Sequence, residues 1–165
     1  MTTRHMTVDT VLGALLVVAD DDAVTGVYFP AHRYPPSPDA IGPSVRSDAL
    51  ITTAQGQLTD YLDGGRRDFD LPLAPVGSTF DQEVWNLLRA IPFGETTSYG
   101  ALAQQMGNPR LAQRVGQSVG HNPISIIVPC HRVVGADGGL TGFAGGLERK
   151  RFLLDLEAPA DSRLF

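Results

Sequence analysis

Little in this chain can serve as a sulfur nucleophile, a metal cage or a membrane anchor. Its 165 residues contain one cysteine, Cys130, so an internal disulfide is impossible and any chemistry of sulfur has a single address. The four histidines, His5, His32, His121 and His131, are scattered and do not combine with cysteine at metal-ligand spacing. A structural or catalytic metal is therefore not expected, and no motif calls for a cofactor. No apolar run is long enough to span a bilayer, and Met1 to Asp9 lacks the apolar centre of a secretion signal. A cytoplasmic, reducing setting is the expectation. Acidic residues are missing altogether from Thr96 to Ala136, a window that holds Arg110, Arg114 and Arg132. The net charge of −5 argues against a general nucleic-acid coat, yet this window is a place where phosphates could be met.

Hydrophobic residues make up 42% of the chain, enough for one or two modest cores. Thr7 to Phe29 alternates apolar and polar types with turn signals at Gly13 and at Asp20-Asp21-Asp22, which predicts two or three antiparallel strands. Tyr34 to Ser44 carries four prolines and predicts a surface loop. Ser47 to Tyr61 has helical spacing and stops at Gly64-Gly65, and Phe69 to Leu73 predicts a further strand. The domain boundary is expected at Pro75 to Gly77, which gives an N-terminal scaffold over 1–76 and a C-terminal domain over 77–165.

Beyond that boundary helices dominate. Ser78-Thr79 predicts the cap of a helix striped by Phe80, Val84, Leu87, Leu88 and Ile91, ended by Pro92-Phe93-Gly94. A second helix is predicted from Ser98 to Met106, and a third from Arg110 to Val119 after the Gly107-Asn108 turn; this is helix-turn-helix spacing. The third carries the small residues Ala112, Gly116 and Ser118, which would let its backbone approach a groove or another helix. A last helix is predicted over Leu147 to Glu157, with Phe152, Leu153 and Leu156 on its apolar side.

The stretch Ile126-Ile-Val-Pro-Cys-His-Arg-Val-Val134 organises the rest. An apolar run drives the chain inward, Pro129 holds Val128 extended, and Cys130 is followed by His131 and Arg132, either of which could favour a thiolate. A lone cysteine is as readily an inert core residue. Glycine-rich Leu140 to Gly146 would let backbone approach a flat ligand, on which Phe143 could stack.

Pro-Cys-His-Arg-Val-Val, together with Pro92-Phe-Gly-Glu-Thr-Thr-Ser-Tyr99, Gly107-Asn-Pro109, His121-Asn-Pro123 and Leu140-Thr-Gly-Phe-Ala-Gly-Gly146, resembles the O6-alkylguanine-DNA alkyltransferases in order and spacing. The likeness is strong from Ser78 to Glu157. It implies an α/β (α+β) fold, with a ribonuclease-H-like antiparallel sheet and helix followed by a mostly helical, winged helix-turn-helix-like domain. It implies an activity too: the alkyl group of O6-alkylguanine, and of O4-alkylthymine, passes from a flipped nucleotide to Cys130 in one irreversible turnover. In that reading His131 takes the thiol proton through a water and Glu157 orients His131. Tyr99 assists the leaving base, and Asn122 fixes the cysteine loop. Substrate contacts fall to Val133, Phe143, Ala144, Gly145 and Lys150. Double-stranded DNA would be met in the minor groove by Arg110, Ala112, Gln113, Arg114, Gly116 and Ser118. A monomer is expected, with cooperativity on DNA left open.

The chain departs from its relatives at two places. Where they usually read Arg-Ala-Val-Gly, with the arginine filling the gap left by the flipped base, this chain reads Gln113-Arg114-Val115-Gly116. Gln113 is then the expected finger, and Arg114, about 100° further round the helix, could replace it only if the helix turned. Phe143 stands where tyrosine is usual. Rival readings are a Cys-His hydrolase, an alkyltransferase-like damage sensor lacking the cysteine, and a zinc-bearing regulator; the first lacks an oxyanion motif, the second is contradicted by Cys130, and the third lacks the zinc-binding cysteines.

Overall fold

The computed structural model describes residues 3–140 and 142–159. The chain forms two compact units, one comprising the residues up to Val76 together with Pro123–Ile127, the other Gly77–Asn122 together with the residues from Val128 onward. The short segment Pro123–Ile127, assigned by the sequence reading to the second domain, packs with the first unit.

The first unit is built on an antiparallel sheet of β1 (Arg4–Thr10), β2 (Gly13–Asp20) and β3 (Ala23–Tyr28) in that order. Alternation decides its faces. Val8 pairs with Leu15, and both are buried, as are Val17, Val24 and Val27. Against the sheet lies α2 (Ala49–Leu62), whose Ile51, Ala54, Leu58 and Tyr61 are spaced to share one face and are fully or almost fully buried. Its cap is Asp48, which accepts the Ile51 amide at 3.0 Å and also pairs with Arg4 at 2.6 Å.

Two expectations for this unit change. Phe69 to Leu73 is not a strand; it contributes one bridge, Val24 to Leu73, with the Val24 amide donating to Pro72 O and the Ala74 amide to Val24 O. Pro72 has no amide to continue a ladder. The proline-rich loop contains a single helical turn, α1 (Pro38–Ile41), because Pro38 occupies the first turn, where its missing N–H costs nothing, and Ser37 caps it. Pro123–Ile127 joins β3 through Val27 N–H to Pro123 O at 2.8 Å and Ser125 N–H to Val27 O at 3.2 Å.

The second unit begins with α3 (Thr79–Arg89), whose Ser78 and Asp81 form a reciprocal capping box. Trp85 on this helix covers Gly77 so closely that a Cβ there would come within 2.4 Å of the indole. Only glycine fits. Next come β4 (Thr97–Ser98), α4 (Tyr99–Gln105), a 3-10 turn over Pro109–Leu111 and α5 (Ala112–Gly120). Ser98 caps α4, accepting from Ala101 N–H at 3.1 Å, as its sequence position predicts. The third helix is shorter than its predicted span from Arg110: Pro109–Leu111 is wound more tightly, with Asn108 accepting the Arg110 amide, and regular α-helix starts at Ala112. A second 3-10 turn, Cys130–Arg132, leads into β5 (Val133–Val134), and α6 (Leu147–Glu157) ends the described fold over its predicted range. β4 and β5 pair in parallel, Thr97 opposite Val133 and Ser98 opposite Val134, which anchors the start of α4 to the residues after the cysteine. Among the described residues no helix is long and apolar enough to cross a membrane.

A buried cysteine turn and the helix beside it

Two tight turns deliver the cysteine. Ile127 N–H donates to Ser125 O at 2.8 Å, closing a three-residue turn around Ile126, whose φ is +72°. A β-branched residue rarely adopts that conformation, and the position is a store of strain of order 1–3 kcal/mol. Its side chain is nonetheless buried, which holds it in place. Cys130 N–H then donates to Val128 O at 2.8 Å, around Pro129 at φ −81° and ψ 65°. The Asn122 amide Nδ2 donates to that same Val128 carbonyl at 2.9 Å. Asn122 thus ties the cysteine turn to the chain just past the end of α5.

Around the turn lies a buried ionic cluster. Glu157, at the end of α6, accepts from His131 Nε2 at 2.9 Å and from Arg132 through two parallel bonds of 2.8 Å, Nε to Oε1 and Nη2 to Oε2. Arg132 Nη1 also donates to Ile91 O at 2.6 Å, just past the end of α3. Such a fork is the geometry in which guanidinium and carboxylate bind most strongly. Arg132 was expected only to bias the thiol; in the fold it is the partner of Glu157. Lys150 is completely buried and donates to Val133 O at 2.6 Å.

Burial sets the protonation states. It pushes the Cys130 thiol up, against the opposing effects of Asn122, Lys150 and the neighbouring backbone amides. At neutral pH the resting group is a thiol, so a base is needed. Burial pushes His131 down, with Glu157 pulling the other way, and it pushes Lys150 down as well. A neutral His131 whose Nε2 donates to Glu157 presents its other nitrogen, Nδ1, as the basic one.

The remaining predicted residues divide. Phe143 and Gly145 are buried and Ala144 is half-buried; the loop is closed by Gly146 N–H to Phe143 O at 2.9 Å. Tyr99 opens α4 and lies against α5 at Gly116, where an added Cβ would sit 3.6 Å from its ring. Gln113 and Arg110 are exposed. Arg114 is exposed as well, but its guanidinium lies 3.8 Å over the Phe80 ring of α3. Ser118 requires correction as a DNA contact: it is 3% exposed, its hydroxyl donates to Asp81 at 2.6 Å and its carbonyl accepts the Trp85 indole N–H at 2.8 Å. Its small size serves the packing of α5 on α3. No sequence signal marked the Phe80–Arg114 stack or the burial of Arg132, because both depend on partners far away in the chain. Among the described residues no group of histidine, cysteine and carboxylate side chains could hold a metal.

A buried cysteine braced by asparagine thus lies in the same unit as a histidine–glutamate–arginine cluster and a pair of helices at helix-turn-helix spacing. Residues 3–75 match the ribonuclease-like domain of 6-O-methylguanine DNA methyltransferase, and residues 79–159 match the DNA binding domain of the same family. The methylated-DNA–protein-cysteine methyltransferase of Mycobacterium tuberculosis is 44% identical over 165 residues, 98% of either chain, and that of Methanosarcina acetivorans is 43% identical over 147 residues, 88% of this chain and 92% of its own. The crystal structure of Mycobacterium tuberculosis OGT in complex with DNA superposes with a TM-score of 0.85 at 42% identity, covering 98% of this chain and 99% of the other. The chain belongs to the 6-O-methylguanine DNA methyltransferase family.

Proposed function

We propose that this protein repairs double-stranded DNA in the cytoplasm by moving the alkyl group of O6-alkylguanine, and of O4-alkylthymine, onto Cys130. The observation that carries the assignment is the chain's single cysteine, set on a braced turn and followed directly by a histidine that is bonded to a buried carboxylate. Sγ attacks the alkyl carbon as the C–O6 bond breaks. The thiol proton passes to His131 through a water, Glu157 stabilises the imidazolium, and Arg132 holds Glu157. The guanine leaves as its anion, and the Tyr99 hydroxyl assists it by hydrogen bonding to, or protonating, a ring nitrogen.

The reacting carbon is out of reach inside a duplex, so the nucleotide must rotate into the pocket. The backbone carbonyls of Val133 and Cys130 read its exocyclic amine, the Ala144 N–H faces O6, and Phe143 lies against the base. Arg110 and Arg114 meet phosphates, Ala112 and Gly116 keep α5 slim against the minor groove, and Gln113 fills the vacated stack. Nothing in the cluster can remove an alkyl group from a thioether, so each molecule, acting as a monomer, reacts once.

Incubation with duplex containing O6-methylguanine should add one methyl group in place of one hydrogen, and peptide mapping should put it on Cys130. Cys130→Ser should bind the duplex and transfer nothing. A methyl group on another residue, or more than one turnover per molecule, overturns the proposal.

A further inference from the structure

The first turn of α6 carries two adjacent cations that reach two different backbones. Lys150 Nζ donates to Val133 O at 2.6 Å, and Arg149 Nη1 donates to Gly145 O at 2.9 Å. Under the reading of Cys130 as acceptor, these are the two segments that contact the flipped base. Lys150 is completely buried, so its contact is locked. Arg149 is half-buried, so its contact is the more open to solvent of the two.

The Gly145 carbonyl has particular need of that contact. The backbone ladder of α6 begins one residue later, with Lys150 N–H donating to Gly146 O, and Gly146, at φ +94°, supplies no side-chain cap. Gly145 is buried, where a carbonyl without a donor is costly. The Arg149 guanidinium supplies the donor from four residues on, across the junction between loop and helix. The next residue toward the loop's other end that packs is Phe143, whose carbonyl takes the Gly146 amide. Gly142 is exposed and bears no side chain to anchor it.

We infer that Arg149 is a specificity-determining positioning residue: by holding the Gly145 carbonyl it fixes the Phe143–Gly145 wall of the substrate slot and limits the size of alkyl group that reaches Cys130. This rests on the alkyl-transfer reading above. On this inference a benzyl group, being larger than methyl, displaces that wall further and so works against the Arg149 bond.

The test is single-turnover transfer at saturating duplex, with O6-methylguanine or O6-benzylguanine in the same sequence, for wild type, Arg149→Met and Arg149→Lys. Arg149→Met keeps the aliphatic stem and loses the donor; it should raise the benzyl-to-methyl rate ratio about tenfold, the factor expected of one hydrogen bond to a charged group. Arg149→Lys keeps a cationic donor and should stay near the wild-type ratio. A general loss of structure would slow both substrates together and leave the ratio unmoved. An unchanged ratio in Arg149→Met, or equal ratios in the two variants, overturns the inference while leaving Cys130 as acceptor. Failure of the wild type to methylate Cys130 would remove the reading beneath it.

Discussion

Replacing Glu157 with glutamine removes one charge from a cluster in which that charge has two separate duties. The carboxylate takes both arms of the Arg132 fork at 2.8 Å and the His131 Nε2–H at 2.9 Å. A glutamine amide has one oxygen for these donors, and its NH2 group must face at least one of them. Breaking a buried pair by removing one partner costs about 3–5 kcal/mol, chiefly because the surviving charge is left uncompensated. Glu157→Gln should therefore be destabilised by that order. It should also transfer methyl about 10² to 10⁴ times more slowly, since the imidazolium formed on His131 loses its counter-charge. The two effects separate in the double variant Arg132→Gln/Glu157→Gln. With no orphaned charge, its stability loss should fall short of the summed single losses by about 2 kcal/mol, while the rate stays low. The pH profile gives a third reading. Burial lowers His131 below its ordinary 6.5 and Glu157 offsets part of that, so in wild type the rate should fall only where the imidazole fills, at a pH beneath 6.5. Without Glu157 that acid limb should move to still lower pH, beneath a reduced plateau. Chemical denaturation and rapid-quench transfer at several pH values measure all of this. Additive stability losses together with a normal rate at neutral pH would refute the assigned role of the cluster.

Two further expectations concern other parts of the molecule. The Phe80 stack and the Ser118–Asp81 bond oppose any turn of α5 that would bring Arg114 to the finger place; Gln113→Arg should thus speed repair of duplex lesions without changing the reaction with free O6-benzylguanine, and loss of duplex repair in Arg114→Ala alongside a silent Gln113→Ala would reverse the assignment. In the first unit, burial lowers His32 from 6.5 to about 4, so the unfolded chain binds the proton first and stability is lost as pH falls from 6.5 toward 4. The loss should approach about 3 kcal/mol, and urea titrations of His32→Gln should show a flatter pH dependence across that window.

Local signals foretold the local features. Ser78 and Ser98 lie where a cap must lie, and the strand alternation around Gly13 sets β1 against β2, because such features depend on residues a few places apart. The motifs named the residues of the candidate site, but not the network that joins them. Periodicity put Phe152, Leu153 and Leu156 on the inner side of α6, whereas the residues buried there are Lys150, Leu153 and Glu157. Two of these are charged, and a hydropathy pattern counts a charge as outward unless its partner is known. Arg132 and Val133 supply those partners from a separate part of the chain. The same limit hid Ser118, whose hydroxyl is committed to Asp81 on another helix, and the short parallel pairing of β4 with β5.

The burial of Cys130 also bears on what happens before any lesion is met. Peroxide oxidation and mixed-disulfide formation both proceed through an accessible thiolate. With its side chain covered and its thiol pushed up by burial, Cys130 is a poor target for either reaction. For a protein whose sulfur can be used a single time, that inertness favours molecules that are still competent when a lesion is met. The same enclosure that makes a base necessary for alkyl transfer therefore acts as a preservative.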